Sequence, residues 1–415
     1  MMKAGFSRRN ITPEKQMPMS GYDRRHGPSA GVLDPLYVSV LVLGNTAPEL
    51  VLCSFDLLGT DWAFCTELEE RIEKKLMIPR ESVVVCATHT HSGPSGIFKN
   101  RGNYDREYAG FLLDRGLAAA GEALNDFADA GMFFIPLSVK GVAAPRDIGY
   151  GGAGGYEMKA DMLLFKRRAG GILLCTFACH PTVLDEKNFL FSRDLPGAAA
   201  SGMKEGERAI FLNGPCADIS TRYTRRGSDV NELGRLGAVW GRGAEKAMER
   251  SGCEKMLKIE THSVHVCLPG RKGMDVKIQT EWMNSLNRQI DTCADEAEKR
   301  EYLSRLAVFE RGEYKAVNDR EITMKLVDIG PLLLLFIPLE VHSSFGGRCC
   351  DTIREELGRE VRIICYSGGY EGYLPSGRPL TADSCYEDLA SPYSPDACSR
   401  IEEAIKKLID EVHTK

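Results

Sequence analysis

The sequence predicts an α/β protein with a mixed, largely buried β-sheet core, flanking helices and a helical insertion. Three observations carry that prediction. Apolar runs too continuous to be half-exposed recur along the chain, segments of helical periodicity alternate with them, and a highly charged helical stretch follows a Pro-Gly break late in the sequence.

Val38 to Leu43 and Leu50 to Phe55 read as strands on either side of a Gly44-Asn45 turn signal. A helix is expected from about Asp61 to Lys75, where Leu68, Ile72 and Leu76 share one face. Ser82 to Thr90 is a β-rich run, and Tyr108 to Phe127 returns to helical periodicity with many alanines. Further strands are expected at Met132 to Ile135, Gly171 to Ala178, Ala209 to Leu212, Leu332 to Ile337 and Val361 to Cys365. The glycine cluster between Arg146 and Gly155 reads as a loop, and lacks the Lys-Thr that a phosphate loop would need. Trp282 to Arg311 follows Pro269-Gly270-Arg271-Lys272-Gly273 and is assigned to the insertion, about 270–320.

The 415 residues are 43% hydrophobic and 27% charged, ordinary for a globular chain. A net charge of −5 argues against a nucleic-acid binder, and the basic cluster Arg222, Arg225 and Arg226 is too short to change that. No apolar run reaches bilayer-spanning length, and no signal-peptide core follows the N-terminal basic residues, so a cytoplasmic protein without stable membrane insertion is expected. The fourteen cysteines are irregularly spaced and several sit inside strand-like runs, as reduced, buried thiols do.

The most informative segment is Thr88-His89-Thr90-His91-Ser92-Gly93-Pro94, at the end of the Ser82 run. Positions i and i+2 of a strand point to one side, so His89 and His91 can share a pocket there. Taken alone, two such histidines are often incidental. His180 ends a second run just before Pro181, and Ala209 to Leu212 leads into Asn213 to Ser220. Pro331 to Leu339 leads into Glu340, and Val361 to Cys365 into a glycine turn with Tyr370 and Tyr373. Metal-binding and proton-handling groups thus follow the carboxyl ends of five apolar runs. In a largely parallel sheet those ends would converge.

These motifs together resemble the neutral (non-lysosomal) ceramidase family. Gly5 to Pro13, Gly21-Tyr22 and Asp34-Pro35-Leu36-Tyr37 look like the start of its catalytic domain, and the likeness runs to about Tyr386. The resemblance implies a zinc-dependent hydrolase of an amide (N-acyl) bond on a single catalytic domain, 1–415, without the C-terminal β-domain of true ceramidases. It implies zinc ligands at His89, His180, Glu340 and Tyr373, and a general acid/base at His91. Tyr386 matches the second active-site tyrosine, Arg146 an active-site arginine, and Ser220 the serine that follows a Gly-Asp pair. Ser220 is open as nucleophile, hydrogen-bond donor or helix cap. Ala217 replaces the family's glycine, and Thr221-Arg222 stand where ceramidases carry Pro-Asn, which puts ceramide itself in doubt. The expected partner is a small-molecule N-acyl or lipid-like substrate, with a non-lipid amidase, an esterase or an inactive binding module as alternatives. Self-association into a homo-oligomer stays open.

Other residues have weaker claims. Asp56 is a strand-end acid suited to support a zinc histidine. Tyr22, Arg24 and His26 are expected beside the site. His342 points away if a helix begins there, and His262 and His265, without an evident carboxylate partner, read as structural.

Overall fold

Three β-sheets make the core, and each ends in one parallel pair of strands. The computed structural model describes residues 2–99, 104–146, 156–250, 254–255, 259–312 and 314–414. The first sheet contains β1 (Lys3–Asn10), β2 (Tyr37–Gly44), β3 (Pro48–Phe55) and β4 (Val83–Ala87), in the order β4-β3-β2-β1, with β3 and β4 parallel. The second contains β5 (Gly131–Ile135), β6 (Met162–Lys166), β7 (Ile172–Phe177) and β8 (Ala209–Asn213), in the order β8-β7-β6-β5, with β7 and β8 parallel. The third contains β9 (Glu260–Leu268), β10 (Arg320–Asp328), β11 (Leu333–Phe336) and β12 (Val361–Ile364), in sequence order, with β11 and β12 parallel. Their remaining pairings are antiparallel, so the core is mixed as predicted, and only the assumption of a largely parallel sheet behind the convergence of strand ends is corrected.

The continuous apolar runs are explained by burial on both faces. Along β2 and β3, Val40, Val42, Val51 and Cys53 pack under helices α1 (Trp62–Leu76) and α2 (Arg106–Asn125). The alternate residues Leu41, Leu43, Leu50 and Leu52 meet Leu163 and Leu174 of the second sheet and Leu334 of the third. On the other side of those two sheets lie α3 (Leu195–Ala200), α4 (Val230–Arg250), α7 (Ser343–Leu357) and α9 (Ala397–His413), with Trp240, Phe345 and Ile405 buried against them. The charged stretch forms α5 (Val276–Thr292) and α6 (Glu296–Glu310), which share a small core of Leu286, Leu306 and Phe309 with Leu389 of α8 (Tyr386–Ala390). No helix among the described residues is long and apolar enough to cross a membrane.

The edges of the three sheets meet. Ala87 donates its amide to the Tyr366 carbonyl, Gly368 to Val85, and Cys365 to Asn213 at the end of β8. The buried Asn213 side chain donates to the carbonyls of both Thr88 and Cys179. The carboxyl ends of the parallel pairs therefore converge, though they belong to different sheets.

Candidate active site

β4 stops at Ala87, so His89 and His91 lie in the loop that follows rather than on alternate positions of a strand. His89 takes a left-handed backbone, φ 67°, and Tyr366, itself at φ 55°, stacks on its ring at 4.0 Å. Two non-glycine residues in that region mark a backbone held against its own preference by the surrounding packing. The His89 Nδ1 lies 2.6 Å from the Leu58 carbonyl, and the His180 Nδ1 lies 3.0 Å from the Ile219 carbonyl. A carbonyl only accepts, so each ring carries its proton on Nδ1 and presents a lone pair on Nε2.

Both lone pairs face one carboxylate. Glu340 is fully buried, with Oε1 2.7 Å from the His180 Nε2 and 3.6 Å from the His89 Nε2. Among the described residues the His180 Nε2 and the Glu340 Oε1 have no partner outside this cluster. The other oxygen of Glu340 accepts from the Tyr370 hydroxyl at 2.7 Å. The His91 Nε2 sits 3.3 Å from the His89 Nε2, and ring nitrogens of His89, His91 and His180 all lie within 4.8 Å of one another. Burial, then Arg146, push His180 down to about 4 against the pull of Glu340. Burial, with His89 and His180 alongside, holds His91 well below its usual range. Burial raises Glu340, but the two imidazoles outweigh it and keep the carboxylate ionised. Imidazole nitrogens turned toward one ionised carboxylate, with His180 and His91 pushed toward their neutral forms by burial, make a donor set that fits a divalent cation.

The other expected residues gather around this cluster. Tyr373 is bridged to Glu340 through the backbone, and burial followed by the nearby Glu340 raises its phenol well above the usual value. Tyr386, first in α8, meets the Tyr373 ring edge-on at 5.7 Å. The Arg146 guanidinium donates to Glu387 at 2.6 Å and to the Ala217 carbonyl. Ser220 is buried in a two-residue antiparallel pairing with Ala144–Pro145, and its Oγ accepts from the Arg222 amide, so it caps no helix. His91, Arg146, His180, Ser220, Tyr373 and Tyr386 all line one cavity of about 220 Å³. A second cavity, of about 630 Å³, is lined by His89, His91, Tyr370, Tyr373 and Tyr386 together with Trp62 and Phe98. Asp23 and Arg311, ion-paired to each other, line both.

Several weaker readings change. Asp56 bonds the Tyr37 amide and the Thr88 hydroxyl, so carbonyl oxygens, not this acid, orient the two rings. Tyr22 and Arg24 line the smaller cavity, whereas His26 is not among its lining residues. His342 caps α7 and faces Asp218, and Asp218 itself bonds the amide and hydroxyl of Ser343. His262 does have a carboxylate beside it, Glu411 of α9, at 3.4 Å. The glycine-rich segment 147–155 lies outside the described residues. Sequence reasoning also missed the clamp on His91. Arg25 donates to the Ser20 and His91 carbonyls, and Tyr22 stacks edge-on against the His91 ring. At Gly21, φ 99°, a Cβ would lie 2.6 Å from that ring, so only glycine fits.

No protein-family model matches the sequence, and no curated protein matches it. Solved structures do. Neutral ceramidase from Pseudomonas aeruginosa aligns at a TM-score of 0.79 and 17% identity, over 99% of this chain and 74% of that one. A ceramidase complexed with C2 aligns at 0.80 and 16%, over 100% and 75%. The chain has the neutral ceramidase fold. At these identities the likeness establishes architecture, and the ceramidase fold is here carried by a chain about three quarters as long as those two relatives.

Proposed function

We propose that this chain is a zinc-dependent hydrolase of an N-acyl amide bond, with His89, His180, Glu340 and Tyr373 as the metal ligands. The observation that carries the reading is that the His89 and His180 Nε2 atoms, their Nδ1 atoms taken up by backbone carbonyls, both face one Glu340 oxygen. The ceramidase fold supports the reaction class. Bound there, zinc supplies a Lewis acid and a water acidified toward neutral pH.

The protein's own groups account for the rest. His91, clamped by Tyr22 and Arg25, is placed to take a proton and deliver it to the leaving nitrogen. Tyr386 and Arg146 can donate to the oxygen that gains charge as the carbonyl is attacked. Ser220, with its oxygen already accepting from Arg222, keeps a hydroxyl proton to offer the substrate, and no serine nucleophile is required. With arginines and carboxylates lining the mouth, a small soluble N-acyl compound should be turned over faster than long-chain ceramide. Comparing kcat/KM for the two tests this, and a clear ceramide preference would restore the ceramidase activity.

A second reading rests on one distance. The 3.3 Å between the His89 and His91 Nε2 atoms is what two nitrogens show when both bind one zinc at about 2.0–2.1 Å. Metal analysis separates the two readings. The purified protein should hold about one zinc per chain, and His180→Ala and Glu340→Ala should lose it. His91→Ala should keep the metal while turnover falls by about 10²–10⁴-fold. Zinc loss in His91→Ala would favour the second reading, and full retention in both His180→Ala and Glu340→Ala would sink the metal assignment.

A further inference from the structure

The basic cluster at Arg222 and Arg225, which the reaction above does not use, faces the active-site cavity. Six arginines line the smaller cavity against four carboxylates. Arg146, Arg222 and Arg311 are each matched, by Glu387, Glu301 and Asp23. Among the described residues the Arg225 guanidinium donates to the carbonyls of Thr182 and Val183 and pairs with no carboxylate. Among the described residues no carboxylate pairs with Arg24, on the N-terminal loop, or with Arg300, on α6. The larger cavity has the opposite balance: Arg311 and Arg320 stand against Asp23, Asp61 and Glu371, beside the exposed ring of Trp62 and the Phe98 ring. The two cavities meet at His91, Tyr373 and Tyr386, where the scissile bond would lie.

We infer, on the basis of the amidase reading, that the amine half of the substrate carries an anionic group bound by Arg24, Arg225 and Arg300. The chain then acts on N-acyl amino acids or their sulfonate and phosphate analogues, not on N-acyl amino alcohols. A guanidinium matches a planar carboxylate or a tetrahedral oxyanion through paired N–H donors, and a neutral hydroxyl head would leave these three cations with no partner to bond, outnumbering the remaining lining carboxylates Asp185 and Glu186. The acyl chain lies on the Trp62 and Phe98 side, where an anion would meet net negative charge. Hydrolysis bonds the water oxygen to the acyl carbon, breaks the C–N bond and leaves both of the water's protons on the departing nitrogen, which becomes an ammonium group. The products are a fatty carboxylate and an amino acid.

The test uses full-length, zinc-loaded protein and four amides of one acyl chain: N-octanoyl-glycine, N-octanoyl-taurine, N-octanoyl-phosphoethanolamine and the neutral N-octanoyl-ethanolamine. At least one anionic amide should exceed the neutral one in kcat/KM by about tenfold or more, and added salt should shrink the ratio. The three anionic arms rank the heads. Combining Arg24→Glu with Arg300→Glu should bring the ratio to about one or below. Turnover without preference for an anion, or an unchanged ratio in the double variant, overturns this inference and leaves the amidase reading standing. Failure to cleave any of the four would count against the amidase reading instead. Calorimetric binding of the same compounds then decides the anion site. Tighter binding of an anionic compound, lost in the double variant, upholds it, and equal binding of neutral and anionic compounds refutes it.

Discussion

Tyr370 donates to the Glu340 oxygen that turns away from the histidines, so this phenol sets how the carboxylate is presented. Tyr370→Phe removes that donor without touching a nitrogen ligand. Zinc affinity should fall by about 10–100-fold, read by competition with a chelator, while the fold is retained. An unchanged affinity would mean that backbone contacts alone orient Glu340. At this scale the sequence was informative in one direction. The apolar runs drew attention to His89, His180, Glu340 and Tyr373 together with other residues that follow them, and the family resemblance alone named these four as the ligand set. What aims the rings could not be picked out, because the acceptors are the main-chain carbonyls of Leu58 and Ile219, which any residue type supplies. Asp56 looked the better partner on chemistry, and Tyr366, flat against His89, carried no signal at all.

Asp56 acts between elements. It directly follows β3, accepts from Tyr37 at the start of β2 and from Thr88 just beyond β4. Burial pushes its carboxyl up to about 6, against the downward pull of Arg193 and the Tyr37 amide. An unfolded aspartate titrates near about 4. Between those values the folded protein keeps a proton that the unfolded chain has released. The stability from this group is therefore full below the lower value and is lost as pH rises through the upper one. Asp56→Asn removes the titration, so the variant should gain on the wild type by about 1–3 kcal/mol between pH 4 and about 7.5 in urea unfolding. A difference that does not vary with pH would refute it. Strands buried on both faces were legible from their apolar runs. β9 and β10 were not, because outward polar residues interrupt them: along β9 only His262, Val266 and Leu268 are buried. β1, whose second half is Ser7-Arg8-Arg9-Asn10, was missed for the same reason.

For the whole molecule, the α/β class and the meeting of strand ends could be read, but not the means. One parallel sheet would bring carboxyl ends together by simple adjacency. Here three mixed sheets do it by abutting their parallel edges, and the bonds that join them, such as Cys365 to Asn213, link residues remote in sequence. A single sequence shows which segments are apolar, not which edges they meet.

That junction has a kinetic consequence. His89, His180 and Glu340 follow strands of three different sheets, so the set is complete only after all three have docked. A contact that forms last is absent from the rate-limiting barrier, and whatever strengthens it slows escape from the native state without hastening arrival. Stopped-flow traces with and without zinc should therefore share a refolding limb and differ in the unfolding limb. Faster refolding with zinc would place the pairing of these edges early, before the sheets themselves are finished.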